Sequence, residues 1–326
     1  MKKITGMFVF LLLFILIFSG CNQSKKQDLA KPSVICTIFP QYDWVRQILD
    51  DKTDNFNLTL LLNNRIDLHN YQPSVDDIIK ISTCDLFIYV GGESDEWVND
   101  ILEQASNKDM IVINLLEILG EGAKIEDYIE GMQIEEDHDD LHDHDRETEH
   151  DEHVWLSLKN AKIFCYAIAD ALSSLDTENT ETYQKNTASY INKLAAYDLE
   201  YQTVISASPR NTLLFADKFP FRYLIDDYGI NYYAAFAGCS AETEASFETI
   251  IFLAKKIDEL NLNTVMVTES ADQSIARTVI NSAIRKDQKI LVLDSMQSVT
   301  SKDVENRTTY ISIMEKNLSV LKEALK

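Results

Sequence analysis

The chain has 326 residues, 45% of them apolar, with 53 acidic against 30 basic side chains and a formal net charge of −23. That acidity excludes nucleic acid as a partner, since phosphate binding needs a surplus of Lys and Arg on some face, and it disfavours electrostatic adhesion to anionic lipid. Gly (9) and Pro (5) are too scarce for a collagen-like or low-complexity chain, and the length favours two domains over one.

Met1, Lys2 and Lys3 give a basic start, and an apolar run, FVFLLLFILIF, follows Met7. The run is short for the roughly 30 Å of a bilayer's hydrocarbon and has the layout of a secretory signal. Ser19 and Gly20 then precede Cys21, which resembles the lipobox of bacterial lipoproteins, with Phe18 where Leu is usual. Residues 1–20 therefore read as a signal peptide, Cys21 as the lipidation site, and 21–32 as a polar tether. Export permits disulfides. The remaining Cys36, Cys84, Cys165 and Cys239 are widely spread with no C-x-x-C pair. A Cys36–Cys84 bridge is conceivable, but free buried thiols are the expectation.

Apolar, β-branched runs predict strands at 33–40, 57–62, 85–91 and 110–115, with helices at 43–49, 74–82 and 95–105 between them. The pattern returns with strands at 212–216, 231–237, 264–268 and 289–294, helices at 245–260 and 274–283, and a last helix at 309–325. Continuous apolar strands separated by helices imply α/β lobes with mostly parallel sheets. Residues 33–172 form the expected N-terminal lobe and 209–326 the C-terminal lobe. Between them Tyr183, Tyr190, Ile191, Leu194, Tyr197, Tyr201 and Val204 fall on one helical stripe, predicting a long linking helix within 173–208.

Five of the six histidines fall within Glu135–His153, a segment with 11 Asp or Glu and only Leu141, Arg146 and Thr148 besides. Such a segment cannot bury enough apolar surface to offset its ordering entropy, so a loop (135–152) is expected. His138, His142, His144 and His150 make it a secondary, loose collector of divalent cations, because neutral imidazole is the commonest side-chain metal ligand. The sixth, His69, lies in DLHNYQPS after an apolar run and before a helix start at Ser74, the usual ligand position in open α/β sheets. Motifs for hydrolases, zinc proteases, nucleotides and dinucleotides are absent, so no enzyme is expected.

The sequence resembles the metal-binding solute-binding lipoproteins of ABC importers, in particular the zinc-uptake type. The resemblance rests on DLHNYQPSVDDIIKISTCDLFIYVGG (Asp67–Gly92), on DEHVWLSLKNA (Asp151–Ala161) with the acid–His loop before it, and on TYISIMEKNLSVLKEAL (Thr309–Leu325). It implies a metal cleft between two lobes, with His69 as first ligand and His153 as second. The family's third ligand, a His or Glu after the first strand of the second lobe, is missing from LLFADKFPFRY, where Asp217 is the available donor. The fourth, a carboxylate after a late strand, matches Asp294, with Glu269, Glu242 or Glu244 as fallbacks. Two imidazoles and two carboxylates suit Zn²⁺ and tolerate Mn²⁺.

The resulting expectation is an extracytoplasmic receptor, lipid-anchored at the outer face of the cytoplasmic membrane (the periplasmic side if the cell has an outer membrane). It would be a monomer that binds zinc as transported ligand and delivers it to the permease and ATPase of an ABC importer. The alternatives are a manganese-specific protein of the same type and a metal-storage or cell-adhesion lipoprotein without a transporter.

Overall fold

A computed structural model describes residues 31–133, 149–240 and 244–326. The first lobe runs β1 (Ser33–Cys36), α1 (Phe39–Leu49), β2 (Asn57–Leu60), α2 (Val75–Thr83), β3 (Leu86–Tyr89), α3 (Trp97–Glu103), β4 (Ile111–Asn114) and α4 (Leu115–Leu119). Two long helices follow, α5 (Leu158–Leu175) and α6 (Thr180–Ser206). The second lobe contains β5 (Thr212–Phe219), α7 (Arg222–Tyr228), β6 (Asn231–Ala237), α8 (Phe247–Glu259), β7 (Thr264–Thr268) and α9 (Ser274–Ser282). It closes with β8 (Lys289–Leu293), α10 (Ser301–Glu305) and α11 (Tyr310–Ala324).

Each lobe has a four-stranded sheet, ordered β2-β1-β3-β4 in the first and β6-β5-β7-β8 in the second, and every pairing is parallel. The two sheets thus repeat one topology, in which the chain leaves the first strand to one side, returns, and continues on the other. Connection reversal of this kind opens a crevice beyond the carboxyl ends of the strands, where ligands of α/β sheets bind. Strand β5 runs further than its apolar pattern suggests, to Phe219, with a register shift between Phe215 and Lys218. The predicted first strand, in contrast, stops at Cys36, because α1 begins at Phe39 and carries Pro40 in its first turn, where a missing N–H costs nothing.

Helix α6 spans 27 residues, about 40 Å at 1.5 Å per residue. Tyr183, Tyr190, Leu194, Tyr201 and Ile205 are its buried apolar face, which packs on α5, α1, α7 and α11. The last helix, although it follows the second sheet, returns to the first lobe. The Tyr310 N–H donates to buried Asp43 of α1 (2.9 Å), and Tyr310 Oη donates to the Trp155 carbonyl (2.8 Å). Trp155 in turn donates from Nε1 to the Ser295 carbonyl at 2.9 Å. One continuous core consequently joins the first lobe, α5, α6, α11 and part of the second lobe, while α8 and α9 cover a smaller core of their own.

Trp44 sits at the centre of the large core, fully buried, with ring centroids 5.6 Å from Phe164 of α5 and 5.3 Å from Tyr310 of α11. Its Nε1 has no partner among the described residues. Trp44→Ala should lower unfolding free energy by roughly 3–5 kcal/mol in urea titrations. Trp44→Phe should cost less than half of that, because it also removes the unpartnered donor.

Candidate metal centre

His69 is placed by the chain that leaves β2. Asp67 caps the single turn Leu68–Asn70 by accepting the His69 N–H at 3.1 Å, and Ser74 with Asp77 forms a reciprocal capping box that starts α2 five residues later. His153 opens the turn Val154–Leu156, immediately before Ser157 caps α5. Its ring lies against the backbone of Gly238, where a Cβ would stand 3.0 Å from His153 Cε1 and 2.9 Å from the Phe219 carbonyl. Glycine is the residue that lets the second lobe approach this closely.

The two rings face each other through Nε2, 3.2 Å apart. Their other nitrogens are engaged behind them. His153 Nδ1 lies 2.9 Å from Asp151 Oδ1, which also accepts the His153 N–H at 2.8 Å. His69 Nδ1 lies 2.7 Å from Ser94 Oγ and 3.5 Å from Glu152 Oε2. Adjacent acids thus serve the two rings, Asp151 behind His153 and Glu152 behind His69. A carboxylate at Nδ1 fixes the tautomer that leaves the Nε2 lone pair free, the usual arrangement behind a metal-bound imidazole. Two lone pairs 3.2 Å apart repel each other unless a cation lies between them. Zinc, with two nitrogens at about 2.0 Å in tetrahedral geometry, sets them about 3.3 Å apart.

The third candidate donor is Cys239. One nitrogen of each ring and the Cys239 sulfur lie within 4.8 Å of one another, the cluster of metal-capable atoms found among the described residues. Cys239 follows β6 in the second lobe, just as His69 follows β2 in the first, so equivalent loops of the repeated topology supply both. A cavity of about 370 Å³ reaches this cluster, lined among others by His69, Glu126, Glu152, Cys239 and His150.

Without a metal, the pair of imidazoles has unequal proton affinity. Burial, then the neighbouring His153, lowers His69 to about 4. Burial also opposes the charge on His153, but Asp151 more than compensates and raises it. Burial and the acids Glu126, Asp151 and Glu152 push the Cys239 thiol well above its usual range, and burial lifts Glu152 to about 7. A divalent cation reverses the sign at the thiol, because its charge favours thiolate.

The carboxylates expected to complete the ligand set lie outside the cluster. Asp217 Oδ2 accepts the Thr268 N–H (2.8 Å) and hydroxyl (2.5 Å), and it lines a different cavity. Asp294 Oδ1 caps the Met296 N–H at 2.8 Å; burial and Glu269 raise its carboxyl to about 6. Glu269 accepts from the Ser295, Gln297 and Ser298 amides, anchoring the loop after β8. All three carboxylates do backbone work that a linear pattern does not reveal. Glu244 is exposed, whereas Glu242, Cys21, His138, His142 and His144 lie outside the described residues. His150 is exposed and held in a bridge with Ile125. Cys36, Cys84 and Cys165 are free and buried, as expected; Cys239 is free but only partly covered.

Residues 34–324 match the family described as zinc-uptake complex component A, periplasmic (ZnuA). The chain belongs to the ZnuA family. Among ZnuA-type relatives, the zinc-binding lipoprotein AdcA of Streptococcus pneumoniae serotype 4 is 30% identical over 330 residues, covering 99% of this chain and 61% of AdcA. The chain therefore spans 61% of that relative's length, less than two thirds. The high-affinity zinc uptake system protein ZnuA of Bacillus subtilis is 28% identical over 330 residues, covering 99% of this chain and 98% of that protein. The Zn(II)-bound ZnuA-like domain of Streptococcus pneumoniae AdcA superposes with a TM-score of 0.70 at 27% identity, over 91% of this chain and 99% of the domain.

The metal-free protein gives a direct test of the paired rings. In two-dimensional NMR titrations, His69 should stay neutral down to about pH 4 while His153 still carries its proton at pH 6.5. The unfolded chain binds the His69 proton near pH 6.5, so this residue's contribution to stability should decline as pH falls from there toward 4. Asp151→Ala should lower the His153 value below that of the native protein.

Proposed function

We propose that this protein is the extracytoplasmic receptor of a zinc ABC importer, capturing one Zn²⁺ between His69, His153 and Cys239 and handing it to a membrane permease driven by an ATPase. The observation that carries this reading is the pair of Nε2 atoms 3.2 Å apart, each backed at Nδ1, with a cysteine sulfur in the same cluster. Family membership supports the transport role and the permease and ATPase as partners. Lipidation of Cys21 would hold the receptor at the outer face of the membrane.

The donor set favours zinc over manganese. Thiolate with two imidazoles is a soft, nitrogen-rich environment, whereas manganese prefers carboxylate, carbonyl and water oxygens. The acid–His segment adds a loose collecting function through His138, His142 and His144. Its end is part of the folded site instead: the Asp151 N–H donates to the Lys124 carbonyl at 2.8 Å, and Glu126 N–H to the Glu149 carbonyl at 2.8 Å.

Competition titrations against a chelator on the purified protein test the assignment. His69→Ala and Cys239→Ala should each weaken zinc binding by about a hundredfold or more, and undiminished binding in either would sink it. Removal of residues 135–148 should lower total zinc capacity and leave one tight site.

Proton linkage has a definite sign. Zinc needs unprotonated His153 and Cys239 thiolate, and both groups hold their protons more tightly than usual in the metal-free state. Binding at neutral pH should therefore release protons, and affinity should fall by about tenfold per pH unit for each proton displaced. Calorimetry in buffers of different ionisation enthalpy measures that release.

A further inference from the structure

Three protein donors leave a tetrahedral ion one position short, and several carboxylates surround it. Asp151 is taken by His153 Nδ1, and Glu152 Oε2 faces His69 Nδ1, the side of the ring turned away from the cluster. Asp67 Oδ1 lies 4.0 Å from His69 Nε2 but is held by the His69 amide, on a side chain one-third exposed. Glu126 differs. Its residue is 9% exposed; Oε1 accepts the Gly238 N–H at 2.8 Å, and the Cys239 side chain lies against its carboxylate. Its second oxygen, Oε2, is shut off from solvent and has no hydrogen-bonding partner among the described residues; Glu152 Oε2 is also unpartnered, but it faces His69 Nδ1, whereas the Glu126 carboxylate faces Cys239.

A buried carboxylate oxygen without a donor is costly, and a native structure that keeps one usually reserves it for an ion or water. The segment carrying Glu126 is held in place from both lobes. Ile125 bridges His150, the Lys124 N–H donates to Tyr223 Oη (2.8 Å), and the Gln133 N–H donates to the Ala235 carbonyl of β6 (2.9 Å). We propose that Glu126 is the fourth ligand of the captured ion: Oε1 pins the Gly238–Cys239 loop from across the cleft while Oε2 takes the remaining coordination position. The site then has two nitrogens, one sulfur and one oxygen. Its two negative charges balance the ion, which makes burial of a divalent cation feasible. The inference rests on the His69–His153–Cys239 reading above.

Cobalt(II) substitution of the purified protein tests the two separately. The thiolate-to-cobalt charge-transfer band reports Cys239; its absence in the wild-type protein would remove the underlying site reading, whatever Glu126 does. Glu126→Gln keeps an acceptor for the Gly238 amide. It should retain that band, shift the cobalt d–d bands, and weaken zinc binding by at least about tenfold. An unchanged d–d spectrum with native zinc affinity in Glu126→Gln overturns the proposal. A measurement on the wild type does not depend on the variant's folding. Azide added to the cobalt protein should leave the d–d bands unmoved if four protein ligands close the ion, and a perturbed spectrum also overturns it.

Discussion

Two neutral imidazoles cannot rest with their lone pairs 3.2 Å apart in a buried site unless something positive lies between them. Much of the surrounding structure maintains that unfavourable approach. Asp151 and Ser94 hold the rings from behind, Gly238 admits the second lobe to van der Waals contact with His153, and Asp67 fixes the turn from which His69 projects. Without a metal the rings depart from ordinary imidazole behaviour in opposite directions: burial, then His153, lowers His69, while Asp151 outweighs burial and raises His153. If the site takes the proposed ion, the strain of assembling the donors is met by the fold beforehand, so binding needs little reorganisation.

The fold was largely legible in the sequence because parallel strands covered on both faces leave continuous apolar runs, and all eight lie close to where those runs placed them. His69 and His153 were legible for a different reason: each sits in a segment whose order along the chain matches a known family. Cys239 was not. It appears in GCSAETEAS, where the nearby acids drew attention, and a single Cys in an apolar chain reads first as a small core residue. Its significance depends on β6 and β2 being equivalent strands of a repeated topology, a relation that only strand order reveals. Asp217 and Asp294 lie outside the His69–His153–Cys239 cluster. Carboxylates at the ends of β5 and β8 look like donors in a linear pattern, but they satisfy backbone and hydroxyl hydrogens instead.

The proposed ligand set divides between lobes. His69 and His153 come from the chain before α5, Cys239 from the second lobe, and Glu126 reaches across from the first to the Gly238 amide. Within Asp151-Glu152-His153, three successive residues contribute a donor and a support for each ring, which concentrates the site's organisation into one short stretch ending at α5. A Cys239 thiolate in that set would distinguish it from an all-imidazole-and-carboxylate site and bias it toward borderline and soft ions.

The return of α11 to the first lobe has a mechanical consequence. A receptor whose lobes meet only through linkers can open like a jaw, but here Tyr310, Asp43, Trp155 and Ser295 stitch the back of the cleft together through one core. Wholesale rotation would tear that core open. At the cleft, the turn carrying Gly238 and Cys239 meets Glu126 from the opposite side, whose Oε1 accepts the Gly238 N–H. Under the proposed role, release would be closer to lifting a latch than swinging a door, displacing the turn that carries Gly238 and Cys239 while the shared core stays as it is.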